Sequence, residues 1–463
     1  MAILTLEKKD RRMAGTIIAL AWPTMVEQLL QTAVQYIDTA MVGSLGTAAT
    51  AAVGATTTVN WLVGSSIGAL SIGFLSYIAR ALGAGDEQRA RRISAQAVLT
   101  VLVVGIPATV LTLSLSGRIP AWMSVDERIQ ADAAAYFFIL YTPMLFRTAS
   151  IIFGTVLRAS GDTARPMKIG ILVNIINVVL NFLLIYPTRP LFGGAIIMPG
   201  AGMGVKGAAL ASAIAVAVGG IIISIVLFRH PKISPRGCRM LPDRELLVPC
   251  FKVAFPNMLQ RFGTSLGYVV FASMINSLGG LATAVTTIAN TVESAFYIPA
   301  FGMQTAASTL AGNALGAEDR ERMRRLGKMF IPIEVGLMII SGGLLFIFAR
   351  PLADIFSNDP EAIGLAAKML KMVALSEPFY GFWIIIEGFM HGVGNTKEPF
   401  VYSIIGMWII RIGGTFLLVN ILGFGLVAAW SCMIAHNMAL FFIFLYIYLS
   451  GRWNPLHKKV QLK

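Results

Sequence analysis

The stretch Ala21-Trp-Pro-Thr-Met-Val-Glu-Gln-Leu-Leu-Gln-Thr-Ala-Val-Gln-Tyr-Ile-Asp-Thr-Ala-Met-Val-Gly43 decides how this chain is read. It is a long apolar run with a proline, Pro23, near its start and a carboxylate, Asp38, near its end. On a soluble protein Asp38 would be one surface charge among many. Inside a run long enough to cross a bilayer its position is costly, and a residue kept at such cost is a site candidate.

Composition supports the bilayer reading. The chain has 463 residues, 56% hydrophobic and 13% charged, with a mean hydropathy of +0.74. Soluble domains carry roughly 25% charged residues, so this chain has too little polar surface to cover a soluble body of its size. Apolar runs of about 20 residues recur along the whole length, each able to span hydrocarbon as a helix. The net charge of +14 comes from short basic clusters between those runs, a positive-inside pattern and not a nucleic-acid surface. Three cysteines without motif spacing (Cys238, Cys250, Cys432) indicate neither a disulfide frame nor a zinc site. The N-terminus, with Lys8, Lys9, Arg11 and Arg12 ahead of a long run, reads as an uncleaved first helix.

The expected fold is an all-α integral membrane protein with twelve spans, near 14–42, 48–79, 93–115, 131–156, 166–187, 204–228, 248–276, 281–313, 328–349, 362–390, 398–421 and 424–449. Alternate connections then carry 27 Lys and Arg on one side against five on the other. That asymmetry places both termini in the cytoplasm.

The chain also repeats itself. Ala21-Trp-Pro recurs as Ala254-Phe-Pro, and Ala81-Leu-Gly-Ala-Gly-Asp as Ala314-Leu-Gly-Ala-Glu-Asp. Gly161-Asp-Thr recurs as Gly394-Asn-Thr, every pair being displaced by 233 residues. The register is lost after the fifth span, where the first half has an extra outer loop, Pro187–Gly202. The expected organisation is an N-lobe over 1–228, a cytoplasmic linker over 229–247 and a C-lobe over 248–463. Six spans are used twice, and because six is even the two bundles share one orientation. A pseudo-two-fold along the membrane normal follows, with a central cleft between the lobes.

Trp22-Pro23, Ile37-Asp-Thr-Ala-Met-Val-Gly43, Leu82-Gly-Ala-Gly-Asp86, Arg158-Ala-Ser-Gly-Asp-Thr163 and their second-half echoes resemble the MATE family, the multidrug and toxic-compound extrusion transporters. The resemblance covers nearly the whole chain. It implies a secondary antiporter that exports amphipathic, often cationic compounds in exchange for H⁺ or Na⁺, from the plasma (inner) membrane. No connection is long enough for an ATPase, which agrees with drive by an ion gradient. The expected partners are a small-molecule cationic substrate and membrane lipid, with no nucleic acid, no cofactor beyond the coupling ion, and a monomeric state. A lipid-linked oligosaccharide flippase of the same superfamily is the alternative, and Arg147, Arg261 and Arg411 would serve its anionic cargo. An enzyme is not expected, since HExxH and His-rich tracts are absent from the sequence.

Residues of a helix advance by about 100°, so Glu27, Gln31 and Asp38 share one stripe of the first span, and Asn174, Asn177 and Asn181 share one of the fifth. Asp38 and Asn181 fall at one depth in the outer half of the membrane. A carboxylate facing amides in low dielectric favours a neutralising proton or, with amide oxygens as further ligands, a Na⁺. The resemblance implies a first-lobe cation site at Asp38, Asn177 and Asn181; a polar interhelical clamp is the other reading. Pro23 removes a helix hydrogen bond, so a bend is expected there, either coupled to Asp38 or static.

The NorM-type branch implied by the resemblance carries an acid on the seventh span and one along the tenth. Here Ala254–Gly280 has none, and the tenth-span region reads Phe379-Tyr-Gly-Phe-Trp. The DinF-type branch carries Asp where Asn181 stands. The second lobe has acids of its own. Glu293 shares a stripe with Thr286, Asn290, Tyr297 and Gln304, and Glu377, Tyr380, Glu387 and His391 share another. They are candidates for a substrate site or a second cation site, with Glu293 alternatively pairing an intramembrane arginine. His391, near the cytoplasmic end, is expected to be solvated.

Overall fold

The computed structural model describes residues 8–122, 127–191 and 196–457. Helices make up nearly all of it: α1 (Lys8–Gly43), α2 (Thr47–Gly83), α3 (Glu87–Leu115), α4 (Ile119–Trp122), α5 (Glu127–Tyr141), α6 (Met144–Ala159), α7 (Ala164–Leu184) and α8 (Gly204–Phe228) in the first half. The second half has α9 (Arg244–Asn276), α10 (Gly280–Phe296), α11 (Ile298–Gly316), α12 (Arg320–Asp354), α13 (Pro360–Ala374), α14 (Glu377–Gly392), α15 (Lys397–Ile405) and α16 (Leu426–Leu449). Gly406–Gly413 and Phe416–Ile421, between α15 and α16, are π-helical. The outer loop read from sequence is an antiparallel pair, β1 (Pro187–Leu191) with β2 (Ile196–Ala201), Arg189 opposite Met198. Part of that loop, and Lys458, Lys459 and Lys463 of the tail, lie outside the described residues.

Among the described residues eight helices are long and apolar enough to cross a membrane, or ten if two bent pairs each count as one span. Such a chain is a multi-pass membrane protein. The spans expected near 248–276 and 281–313 fall outside this set. Asn257, Gln260 and Arg261 lower the apolarity of α9, and the second is broken at Tyr297 into α10 and α11. The spans expected at 131–156 and 362–390 are also broken, α5 to α6 by 49° and α13 to α14 by 50°. A proline stands at each of these three breaks, Pro143 within the first, and Pro299 and Pro378 at the second position of the helix that follows. Proline lacks the N–H and disfavours helical geometry in the residue before it. Pro23 does not break its helix, since α1 continues through it.

By packing, the described chain divides into two compact units. One comprises Met1–Met25, Leu75–Asp86 and Pro249–Lys463; the other comprises Val26–Phe74 and Glu87–Val248. The first half therefore contributes two segments to the unit that holds the second half. In the first unit Ile17, Leu20 and Ala21 of α1 are buried in one core with Ala300, Met303 and Phe389. There too, the C-terminal end of α2 binds α14, as Ser76 Oγ donates to the Gly392 carbonyl at 2.9 Å and Arg80 Nη2 to the Val393 carbonyl at 2.8 Å. In the second unit the chain after α8 is pinned to α3. Arg91 donates to the Pro231 carbonyl at 2.6 Å, Arg92 pairs with Asp243 at 2.6 Å, and Gln96 Nε2 donates to the Leu241 carbonyl at 2.9 Å.

The 233-residue repeat is visible in the backbone. Gly46 and Gly279 take φ of 110° and 105°, and Gly161 and Gly394 take 84° and 80°. Gly85 takes 76°, and its mate Glu318 takes 52°, the one non-glycine with positive φ among the described residues. Gly83 and Gly316, also repeat mates, make a reciprocal contact inside the first unit. A Cβ on Gly83 would lie 2.1 Å from the Asn313 carbonyl oxygen, and one on Gly316 would lie 1.9 Å from that of Arg80. Small residues let membrane helices approach backbone to backbone in this way.

Two outcomes follow. Glu318→Gly relieves a left-handed residue and should raise stability by about 1 kcal/mol, read as a higher unfolding temperature in detergent. Gly316→Val has no room against backbone and should cost more than about 3 kcal/mol, read as loss of monodisperse protein on size exclusion.

Candidate functional site

In the unit formed by Val26–Phe74 and Glu87–Val248, α1, α7 and α8 bring together a carboxylate, two amides and a hydroxyl. Asn181 Nδ2 donates to Asp38 Oδ1. With its amide nitrogen turned toward the carboxylate, Asn177 donates to Asp38 Oδ1 at 2.9 Å and accepts from Ser212 Oγ at 3.0 Å. Asn177 and Asn181 are one helical turn apart on α7, so both reach the same acid. Both are buried. Tyr136 of α5 lies within electrostatic range of Asp38 and of Arg147 on α6.

The neighbouring sequence candidates do not join this set. The Asn174 Nδ2 is buried without a partner, and Gln31 is exposed. Glu27 forms a salt bridge with Arg158 of α6 at 3.1 Å, and Gly170 of α7 lies against its side chain. Its stripe on α1 is shared with Asp38, but its charge is already matched.

The second half handles its acids differently. Glu387 accepts from Gln260 Nε2 at 2.6 Å and from Gln304 Nε2 at 2.7 Å, and Gln260 also donates to Ser403 Oγ at 3.0 Å. Glu293 accepts from the Tyr297 hydroxyl, one turn along at the α10–α11 break. The Tyr297 ring packs on Tyr380 with centroids 4.5 Å apart, and Tyr380 meets Trp383 edge-on at 5.2 Å. Asn290 is exposed, and the Thr286 hydroxyl is buried without a partner. Glu377 opens α14 with both oxygens buried and unbonded.

Two expectations are corrected. No described carboxylate forms a salt bridge with Arg147 or Arg411; both sit on aromatic faces instead. Arg147 lies 5.6 Å from the Tyr141 ring centre. Arg411 lies 4.7 Å from that of Tyr268 and 4.5 Å from that of Phe271, and donates to Met433 Sδ. Such faces hold a guanidinium without a counter-ion. His391 is buried and not solvated, because the end of α14 presses on the Ser308 backbone of α11 and on Ser76 of α2. Glu334 of α12 is not among the sequence candidates, yet it is fully buried with both oxygens unbonded. Its signal was available, since it is an acid inside an apolar span like Asp38. Among the described residues no group of three His, Cys, Asp or Glu could hold a metal ion.

A family model described as MatE matches residues 23–183 and again 256–417, so each repeat carries one copy. The chain is 29% identical over 438 residues to the probable multidrug resistance protein NorM of Thermotoga maritima, covering 95% of this chain and 92% of that one. It is 25% identical over 383 residues to the multidrug export protein MepA of Staphylococcus saprophyticus, covering 82% and 80%. In fold it matches a crystal structure of MATE in complex with MaD3S, with a TM-score of 0.88 at 23% identity over 96% of this chain and 97% of that one. A MOP superfamily transporter from Pyrococcus furiosus matches with a TM-score of 0.86 at 22% identity, covering 96% of each chain. The two matched copies together take in most of the chain, which belongs to the MatE family.

Proposed function

We propose that this protein is a secondary antiporter that exports amphipathic, cationic drugs or toxic metabolites in exchange for H⁺ or Na⁺. The observation that carries the reading is the carboxylate of Asp38 held by the amides of Asn181 and Asn177 inside apolar helices. An acid there stays charged only while something neutralises it, so occupancy by a cation and the state of the helix pair are linked. The relatives named for multidrug resistance and export support the cargo class. The proposed arrangement is twelve spans, six per repeat, with both termini cytoplasmic, working as a monomer among the lipids of the cell membrane. It transports and does not catalyse a reaction.

Each elementary charge crossing the membrane is worth about 2.3 kcal/mol per 100 mV. One entering H⁺ or Na⁺ therefore offsets the electrical cost of one departing monovalent cation. The flippase alternative needs arginines offered to an anionic head group. Arg147 and Arg411 lie against aromatic rings instead, and no observation favours that reading.

The test is efflux from proteoliposomes with the proton and sodium gradients imposed separately. Wild type should respond to one gradient, and Asp38→Asn should lose gradient-driven efflux at least tenfold at equal protein level. Asn181→Ala should weaken it less than Asp38→Asn. Wild-type efflux by Asp38→Asn would remove Asp38 from the mechanism.

A further inference from the structure

The unit that contains Pro249–Lys463 carries buried carboxylates that the site at Asp38 does not use. Glu334 on α12 is 0% exposed and Glu377 on α14 is 1% exposed. None of their four oxygens has a hydrogen-bond partner. Two glycines let α12 and α14 meet closely here. A Cβ on Gly381, one turn beyond Glu377, would lie 3.1 Å from Glu334 Oε1, and a Cβ on Gly342, two turns beyond Glu334, would lie 3.1 Å from Glu377 Cβ. The Glu334 carboxyl thus rests on the face of α14 that carries Glu377. Glu293, at the end of α10, flanks them, and both Glu293 and Glu334 act electrostatically on Glu377.

The surroundings hold little to neutralise this charge. Arg411 acts on Glu293, but its guanidinium rests on Tyr268 and Phe271. Tyr297 donates to Glu293. Near Tyr380, which packs on Tyr297, are Tyr268, Arg261 and Glu387, and Glu387 is satisfied by Gln260 and Gln304. An unpartnered carboxylate in an apolar interior is costly, and neighbouring carboxylates resist ionising together. Among the described residues no three such groups are close enough for a metal ion, whereas a proton needs one oxygen. Counting back 233 residues, Asn60, Val101 and Met144 stand where Glu293, Glu334 and Glu377 do. The cluster belongs to the second half alone.

We propose that Glu334 and Glu377, flanked by Glu293, form a proton-binding site distinct from the one at Asp38, with the protons held on neutral carboxyl groups. It stands whether or not Asp38 couples transport.

The experiment is infrared absorption of protonated carboxyl C=O groups in the purified protein as pH is varied, for wild type, Glu334→Gln, Glu377→Gln and Asp38→Asn. Wild type should show this absorption at neutral pH. Each glutamine variant should lose one residue's share, and excess Na⁺ should leave the band in place. Asp38→Asn should retain the Glu334 and Glu377 contributions even where its efflux is lost, which separates this proposal from the function assigned to Asp38. If a glutamine variant does not fold, Glu334→Asp or Glu377→Asp keeps the carboxyl and should move the band. A wild-type band that is absent at neutral pH, abolished by Na⁺, or unaltered in every Glu334 and Glu377 variant overturns the proposal.

Discussion

A carboxylate inside hydrocarbon-thick helices must be neutralised, and the way each acid meets that demand organises the polar interior of this protein. Glu27 is answered by a guanidinium, Arg158. Asp38 is answered by amides on one face of α7. Glu387 is clamped by two glutamines from α9 and α11. Glu334 and Glu377 have no donor at all. A matched acid is a structural tie. An acid held only by amides, or by nothing, can exchange its neutralising ion, and exchange is what a gradient-driven carrier needs.

The repeat explains why these answers differ between halves. Backbone features are shared: three pairs of left-handed positions fall 233 residues apart, and Gly83 and Gly316 each press on the other's helix. The polar side chains are not shared. Phe271 stands at the place of Asp38 and supports Arg411 by its ring face. Gln260 stands at the place of Glu27 and binds Glu387 instead of an arginine. Duplication kept the frame, where a change would put a side chain into backbone, and left the polar positions free to diverge.

Helix breaks are the second device. Tyr297 separates α10 from α11 beside Glu293, and the α13–α14 break comes immediately before Glu377. Prolines mark these breaks, yet Pro23, Pro107 and Pro256 lie inside helices that continue. The freed carbonyl of a proline can be tolerated when neighbouring helices supply contacts. Whether a given proline bends or breaks its helix is therefore decided by packing partners that are distant in sequence.

The membrane class, the repeat, and the helix stripes that carry Asp38 and Asn177 with Asn181 were legible in the linear chain, because hydropathy and helical periodicity act over a few turns; that the two stripes meet was implied only by the family resemblance. His391, Glu334 and the intramembrane arginines were misjudged or missed because their surroundings come from other helices. Sequence alone determined that an acid lies in an apolar span and which face of its helix it occupies. Tertiary structure decided whether that face meets a guanidinium, an amide, an aromatic ring or another acid, since burial and partners arise only when distant segments pack.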